Sequence, residues 1–487
     1  MGKTIKIIAG PVVGYLFYLL LLNKTGDVLM AKAGLVVAWM AAWWITEAVS
    51  IYLTALLPAV LFPMLGIESM KVVAPWYMHQ IIFLFIGGFF LAYALEKWGL
   101  HKRIAMWVIS RVGHTPGRLL LGVMLASYLL SMWILNTATT TMLLPAILAV
   151  LSEIRNFEKV QSKGLAVGLL LGLAFASSIG GTATVIGTAP NTYFMGFFNE
   201  SYANGNPITF ANWFIFGLPT SMLMIVACYS IIYFMHLKKY PSPSIPGNYF
   251  NDQLRALGKI GYEEKVIGWV FLATVIAWFF MRDIELGSLK VPGWSNLFPE
   301  PEFLKESTIA MLMSMLLFLI PSKTEKKTRL LQWKDVERIP MGVIFLFGGG
   351  FALAKGIEVS GLADWIAGQV EQWGSLSPEL LVLILTVFMI FFTELTSNTS
   401  STVLILPLLG ALSIELGLHP MLITLPVTIA ASCAFMLPAA TPPNTIVFGS
   451  EMIKISDMAR TGIWLNLAST IIIWLATFTL GKWVFGY

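Results

Sequence analysis

SMWILNTATTTMLLP, residues 131–145, is the stretch on which the fold turns. It sits in an apolar region, yet it sets Asn136, Thr137, Thr139, Thr140 and Thr141 nearly side by side and closes on Pro145. A helix facing lipid does not carry such a cluster, because amides and hydroxyls left unpaired in hydrocarbon cost several kcal/mol. The flanks sharpen the problem. Segment 97–118 holds Lys97, Lys102, Arg103, Arg111 and Arg118, and 152–164 holds Arg155, Lys159 and Lys163. Both belong on the inner side by the positive-inside rule, whereas one span between them would separate them. A re-entrant hairpin that enters and leaves on the inside restores parity. Its non-helical tip is tolerated only where protein buries it or an aqueous cavity meets it.

The stretch has an echo. TELTSNTSSTVLILP, residues 393–407, repeats the pattern, with Asn398 lying 262 residues after Asn136 and Pro407 the same distance after Pro145. FLFIGGFFLAYAL at 83–95 likewise returns as FLFGGGFALA at 345–354, with Gly350 again 262 residues after Gly88. Each half then ends its polar run in a Thr- and Pro-containing stretch, GGTATVIGTAPN at 180–191 and AATPPN at 439–444.

Lysine and arginine also place 237–265 and 321–338 inside, while 191–211 and 412–425 have none and belong outside. The second hairpin therefore opens from the outside, and the two units run in opposite senses. The expected fold is an all-helical polytopic membrane protein with eleven spans, two re-entrant hairpins and an inverted repeat. Residues 1–30 form an extra N-terminal helix. A first unit at 31–236 contains a hairpin at about 119–151 and a broken helix at about 165–191. An inner linker spans 237–265, and a second unit at 266–487 contains a hairpin at about 380–411 and a broken helix at about 421–448. Inverted repeats with discontinuous helices at their interface are a common construction of secondary transporters.

Composition agrees with a membrane chain. Of 487 residues, 57% are hydrophobic and 12% charged, against about a quarter charged in an ordinary soluble domain. Apolar runs recur throughout, at 7–22, 213–235 and 463–480 among others, and the first reads as a retained helix because no small-residue cleavage pattern follows it. The net charge of +5 serves topology and gives no reason to expect a nucleic-acid partner. Cys228 and Cys433 are far apart in apolar surroundings, and the five histidines lack ligand spacing. A channel needs a continuous polar path, but the polar residues fall in two local clusters. An enzyme needs a nucleophile–base or metal set, and the sequence offers neither at membrane depth.

The clusters suit both an anion and a cation. Asn136 offers a carbonyl oxygen to a cation and N–H donors to an anion, and Thr137 and Thr139 offer hydroxyls. Its companion is the interrupted stretch around Ser178, Gly180, Gly181, Thr182 and Thr184. Ser397, Asn398 and Thr399 take the same roles at the second tip, beside Ala440, Thr441 and Pro442. Carbonyl, amide and hydroxyl oxygens suit a hard cation such as sodium. Neither tip contains Lys, Arg or His, so two carboxylates bound there call for helix ends, neutral donors and bound cations. Glu47 and Glu394 are the acidic residues nearest membrane depth, and each is read as a structural carboxylate or a proton-coupling one.

These motifs, WWITEAVS at 43–50, LNTAT at 135–139, IGGTATVIGTAPN at 179–191, SNT at 397–399 and CAFMLPAATPPN at 433–444, resemble those of the divalent anion/sodium symporter family over nearly the whole chain. The resemblance implies sodium-coupled transport of C4-dicarboxylates such as succinate, malate and fumarate, or of citrate, by a homodimer in the cell inner membrane. It also implies an elevator motion of the hairpin domain against a scaffold. Asn136, Thr137, Ser397, Asn398, Thr399, Thr441 and Pro442 would hold the substrate. One sodium would sit among Ser131, Asn136, Gly180, Gly181, Thr182 and Thr184, and another among Thr393, Thr396, Asn398 and Ala440. One position departs from the family pattern, since its first motif usually reads Ser-Asn-Thr and here begins with Leu135. That loss of a hydroxyl leaves sodium-independent exchange of dicarboxylates open as an alternative.

Overall fold

The computed structural model describes residues 2–112, 115–158, 163–203, 206–238, 249–286, 289–325, 327–371 and 376–487. Residues 239–248 of the expected linker and Lys159 lie outside the described residues; the rest of the linker includes a helix, Tyr249–Ala256. Helices make up almost all of the regular structure. One antiparallel pair, Ile284–Leu286 with Leu289–Val291, departs from a purely helical expectation. It falls in the polar segment 282–308, where the backbone is not obliged to satisfy itself within a helix as it is in lipid.

Among the described residues, seven helices are long and apolar enough to cross a bilayer: Lys3–Thr25, Val28–Thr46, Met70–Lys97, Lys163–Thr182, Phe210–Leu237, Met341–Val359 and Ile455–Phe485. Shorter apolar helices include Pro116–Ser131, Pro378–Thr393 and Pro420–Ala431. The first two have 16 residues each, about 24 Å of helix against a hydrocarbon core of about 30 Å. Each starts with a proline whose missing N–H costs nothing at that position, and each stops where the polar cluster begins.

Burial sorts the long helices. The apolar window of Lys163–Thr182 is 100% buried, as expected for a helix that is apolar all round, whereas that of Lys3–Thr25 is 17% buried. The first therefore packs inside protein and the second lies at the periphery.

The repeat noticed in the sequence extends to helix boundaries. Pro116–Ser131 and Asn136–Glu158 correspond to Pro378–Thr393 and Asn398–Glu415, starting 262 residues apart in both cases. Lys163–Thr182 and Ala189–Ser201 correspond to Pro420–Ala431 and Pro442–Phe448. Each half then ends its last long helix, Phe210–Ile232 or Ile455–Ala476, in a π-helical turn, Tyr233–Leu237 or Thr477–Gly481.

The halves interlock rather than sit side by side. Ala189–Ser201 packs on Asn398–Glu415 and Pro420–Ala431, and Pro442–Phe448 packs on Asn136–Glu158 and Lys163–Thr182. Each broken helix thus packs its second piece on the helix that resumes after the other half's tip. At this seam Gly350 lies under Val403 and Tyr193, where an added Cβ would come within 2.3 Å of the valine, so only glycine admits so close an approach.

Candidate functional site

Each tip is a four-residue gap between two helices, Met132–Leu135 in the first half and Glu394–Ser397 in the second. The helices that resume begin at Asn136 and Asn398, whose positions confer the same local geometry. Ser131 Oγ donates to Asn136 Oδ1 at 2.5 Å, and Thr393 Oγ1 lies 2.7 Å from Asn398 Oδ1. One turn later, Thr140 Oγ1 donates to the Asn136 carbonyl at 2.9 Å and Thr402 Oγ1 to the Asn398 carbonyl at 2.7 Å. Both amide oxygens are therefore tied back to their own hairpin, which leaves the –NH2 groups of half-buried Asn136 and Asn398 free to donate. The first intrahelical bonds at the tips run from Thr139 N to Leu135 O and from Ser401 N to Ser397 O, so the preceding N–H groups also remain free.

The remaining expected substrate ligands differ in their access. Thr137 and Pro442 are exposed, Ser397 and Thr399 half-buried, and Thr441 buried. The Thr441 hydroxyl is occupied as a helix cap, accepting from Asn444 N at 3.3 Å.

The broken helices show the same pairing in more detail. Asn191 Nδ2 reaches the carbonyls of Gly181, Thr182 and Thr184 at 3.2, 3.3 and 2.8 Å. Asn444 Nδ2 reaches those of Ala434 and Leu437, each at 3.1 Å. Thr192 Oγ1 donates to Val185 O and Thr445 Oγ1 to Pro438 O, both at 2.7 Å. Both clamp residues recur at a spacing of 253, as do all their partners but Thr182, so each unwound turn is held by one Asn–Thr clamp. Asn191 and Asn444 are fully buried, and among the described residues their Oδ1 atoms have no hydrogen-bond partner. These clamps were not among the expected site residues, although both asparagines stand as the last letter of the repeated Thr–Pro stretches.

At the first tip, Asn136 rests directly on Gly181, where a Cβ would come within 2.7 Å of Asn136 Oδ1. Gly180 lies against the Tyr128 backbone, with an added Cβ 2.4 Å from its carbonyl oxygen. Thr184 Oγ1 donates to Met132 O at 2.5 Å, and Thr182 donates to Ile179 O. The structure thus brings Ser131, Asn136, Gly180, Gly181 and Thr184 together, while the Thr182 hydroxyl is spent within its own helix.

At the second tip, Thr393 Oγ1 lies 2.7 Å from Asn398 Oδ1 and 2.9 Å from Ala431 O. Three oxygens meet there with one hydroxyl proton to share, and that deficit fits a bound cation. Thr396 is turned inward onto Ser401 Oγ and Phe392 O. Among the described residues no hydrogen bond joins Ala440 to the tip; the bridges run to Ala431 and, through Glu394, to 435–437. Glu47 is far less engaged, exposed and in a left-handed backbone conformation at the end of Val28–Thr46.

These features define a class, a helical transporter built from two interlocked repeats. In fold the chain is similar to the Alcanivorax borkumensis YdaH transporter, with a TM-score of 0.57 at 14% identity, covering 84% of this chain and 88% of that one. Residues 12–487 match the family described as the sodium:sulfate symporter transmembrane region, and the chain belongs to that family, the divalent anion/sodium symporters. It is 40% identical over 497 residues to the sodium-dependent dicarboxylate transporter SdcS of Staphylococcus saprophyticus, with 100% of this chain and 93% of the relative aligned. To the SdcS of Staphylococcus aureus strain MRSA252 it is 39% identical over 503 residues, with 100% and 92% aligned.

Proposed function

We propose that this protein is a sodium-coupled secondary transporter of C4-dicarboxylates such as succinate, malate and fumarate, acting in the cytoplasmic membrane. The observation that carries this reading is the matched pair of tips, each presenting a free Asn amide –NH2 and free helix N–H groups beside an oxygen cluster. One carboxylate of the substrate accepts from Asn136 and the N–H groups at the first tip, and the other accepts from Asn398 and those at the second. Thr137, Ser397, Thr399, Thr441 and Pro442 complete the lining. The two carboxylates of a dianion held by neutral donors are costly to desolvate, and sodium ions at the two tips supply the missing charge. Coupling follows, since substrate binds well only where the cations already sit. Full-length relatives that bear the name sodium-dependent dicarboxylate transporter support this assignment.

The finer architecture belongs to the same proposal. The two hairpins re-enter from opposite sides, eleven spans surround them, and the hairpins with their broken helices move as an elevator against a homodimeric scaffold. Purified protein in liposomes tests the reading. An inward sodium gradient is expected to drive succinate uptake, with replacement of sodium by choline abolishing it. Uptake that instead needs internal dicarboxylate and ignores sodium would mark an exchanger, the reading that Leu135 favours. Competition by malate and fumarate, and weaker competition by citrate, is expected because two opposed sets of short neutral donors suit two carboxylates better than three.

A further inference from the structure

Glu394 is 5% exposed, and each hydrogen-bond partner of its carboxylate among the described residues is a donor. Oε1 accepts from Phe435 N at 2.7 Å, Met436 N at 2.8 Å and Asn466 Nδ2 at 2.8 Å, and Oε2 accepts from Leu437 N at 3.1 Å. A protonated carboxyl has a hydrogen to give, and none of these four partners is placed to accept it, so these hydrogen bonds suit a carboxylate. No Lys, Arg or His forms an ion pair with it among the described residues. A buried negative charge held by neutral donors alone is an expensive arrangement unless a cation stands close by.

The first half solves the same position without charge. Met132 stands 262 residues before Glu394, and there the contact to the broken turn is a Met132 carbonyl accepting from Thr184 Oγ1. Glu394 is also bonded in the chain to Thr393, the residue at which three oxygens share one proton. The turn it grips, 435–437, follows directly from the helix end that supplies the Ala431 carbonyl.

We propose that Glu394 is the positioning residue of the second-tip cation site: its charge and its grip on 435–437 make that site bind sodium more tightly than the first. This rests on the site assignment made above. The carboxylate does not ligate the ion; it fixes the backbone that does, and its charge offsets the ion's. Sodium therefore occupies the second tip first, and orders it before substrate arrives.

The test uses the full-length protein with two readouts. In detergent without dicarboxylate, the sodium concentration giving half of the maximal thermal stabilisation reports binding alone. In liposomes, the sodium concentration giving half-maximal succinate uptake reports the coupled event. Glu394→Gln is expected to raise both by at least about tenfold, with the KM for succinate at saturating sodium staying within about twofold. A packing role alone would lower the yield or the maximal rate without that split. Glu394→Asp is expected to recover part of the shift. If Glu394→Gln is not recovered folded, Asn466→Leu keeps the charge while removing one anchor, and is expected to raise both values about threefold. Sodium responses unchanged in the recovered variant overturn the proposal. Thr393→Val separates the layers: if it too leaves sodium stabilisation intact, the second cation site itself is misplaced, and if it abolishes that stabilisation while the Glu394 variant binds like wild type, only the role of Glu394 falls.

Discussion

Laid over one another at a spacing of 262, the two tips read Ser-Met-Trp-Ile-Leu-Asn-Thr and Thr-Glu-Leu-Thr-Ser-Asn-Thr. The asparagine, the threonine after it and the hydroxyl five residues before it are kept, and in both tips that hydroxyl donates to the asparagine Oδ1. What lies between is not kept. The first tip fills its gap with apolar side chains, and its Trp133 packs on Phe271 at 5.1 Å and on Phe210 at 6.1 Å. The second fills it with Glu394, Thr396 and Ser397, while Leu395 is 74% exposed. Both tips touch their own broken helix, but the first gap adds aromatic packing from outside the hairpin and the second adds a carboxylate that grips that helix's unwound turn. The shared atoms are those that would meet a symmetric ligand such as a dicarboxylate; the differing ones set how each tip is held.

The sharpest way to break the comparison is at the shared amides. Asn136→Ala and Asn398→Ala are each expected to lower succinate uptake in liposomes by about 100-fold or more, because each loses a donor to a carboxylate and an oxygen near a cation. Wild-type uptake in either would remove that residue from the site. Next in size is the glycine that the halves do not share. Gly181→Ala pushes a methyl group into the Asn136 amide, and a loss of roughly tenfold or more is expected; Ala434→Gly, the counterpart 253 residues on, is expected to stay within about threefold. Equal losses would show that close packing at Gly181 is not what seats Asn136.

The clamps sharpen the comparison through stability. Asn191 holds three carbonyls and Asn444 two, so Asn191→Ala is expected to cost about 3 kcal/mol and Asn444→Ala about 2 kcal/mol at roughly 1 kcal/mol per bond. Unfolding in detergent with sodium absent measures both, and a reversed order would mean that these hydrogen bonds do not set the stability of the two turns. Smallest is Leu135→Ser, which gives the first tip the hydroxyl that Ser397 already supplies at the second. It is expected to lower the half-saturating sodium concentration for uptake by about two- to fivefold; no change would make that departure silent.

Much of this was legible in the letters because the chain states it twice. Polar tips inside apolar runs, repeated at one spacing with Asn136 matching Asn398, mark sites that lipid would not tolerate unless protein encloses them. The pairing of Ser131 with Asn136 and Thr393 with Asn398 was within reach, since five residues across a helix break bring two side chains together. Asn191 and Asn444 were harder. Each looked like the tail of a turn motif, and its partners are backbone carbonyls, which no side-chain pattern advertises. Ala440 is a different case: its place in the repeated motif suggested a ligand, and the carbonyl that Thr393 reaches in the structure belongs to Ala431, nine residues earlier.

By itself the sequence determined that the chain lies in a membrane, that it is built from two related halves, and which short stretches carry the polar chemistry. Hydropathy, charge sidedness and spacing are properties of the chain read in one dimension, and they suffice for those conclusions. Only the tertiary structure decided which oxygens meet. That each half packs the second piece of its broken helix on the other half, that Asn191 and Asn444 grip unwound backbone, and that Glu394 closes on 435–437 while Met132 does nothing comparable with its side chain, all depend on contacts between residues seven to more than two hundred positions apart. Such contacts are set by how helices pack, and packing is a property of the folded whole.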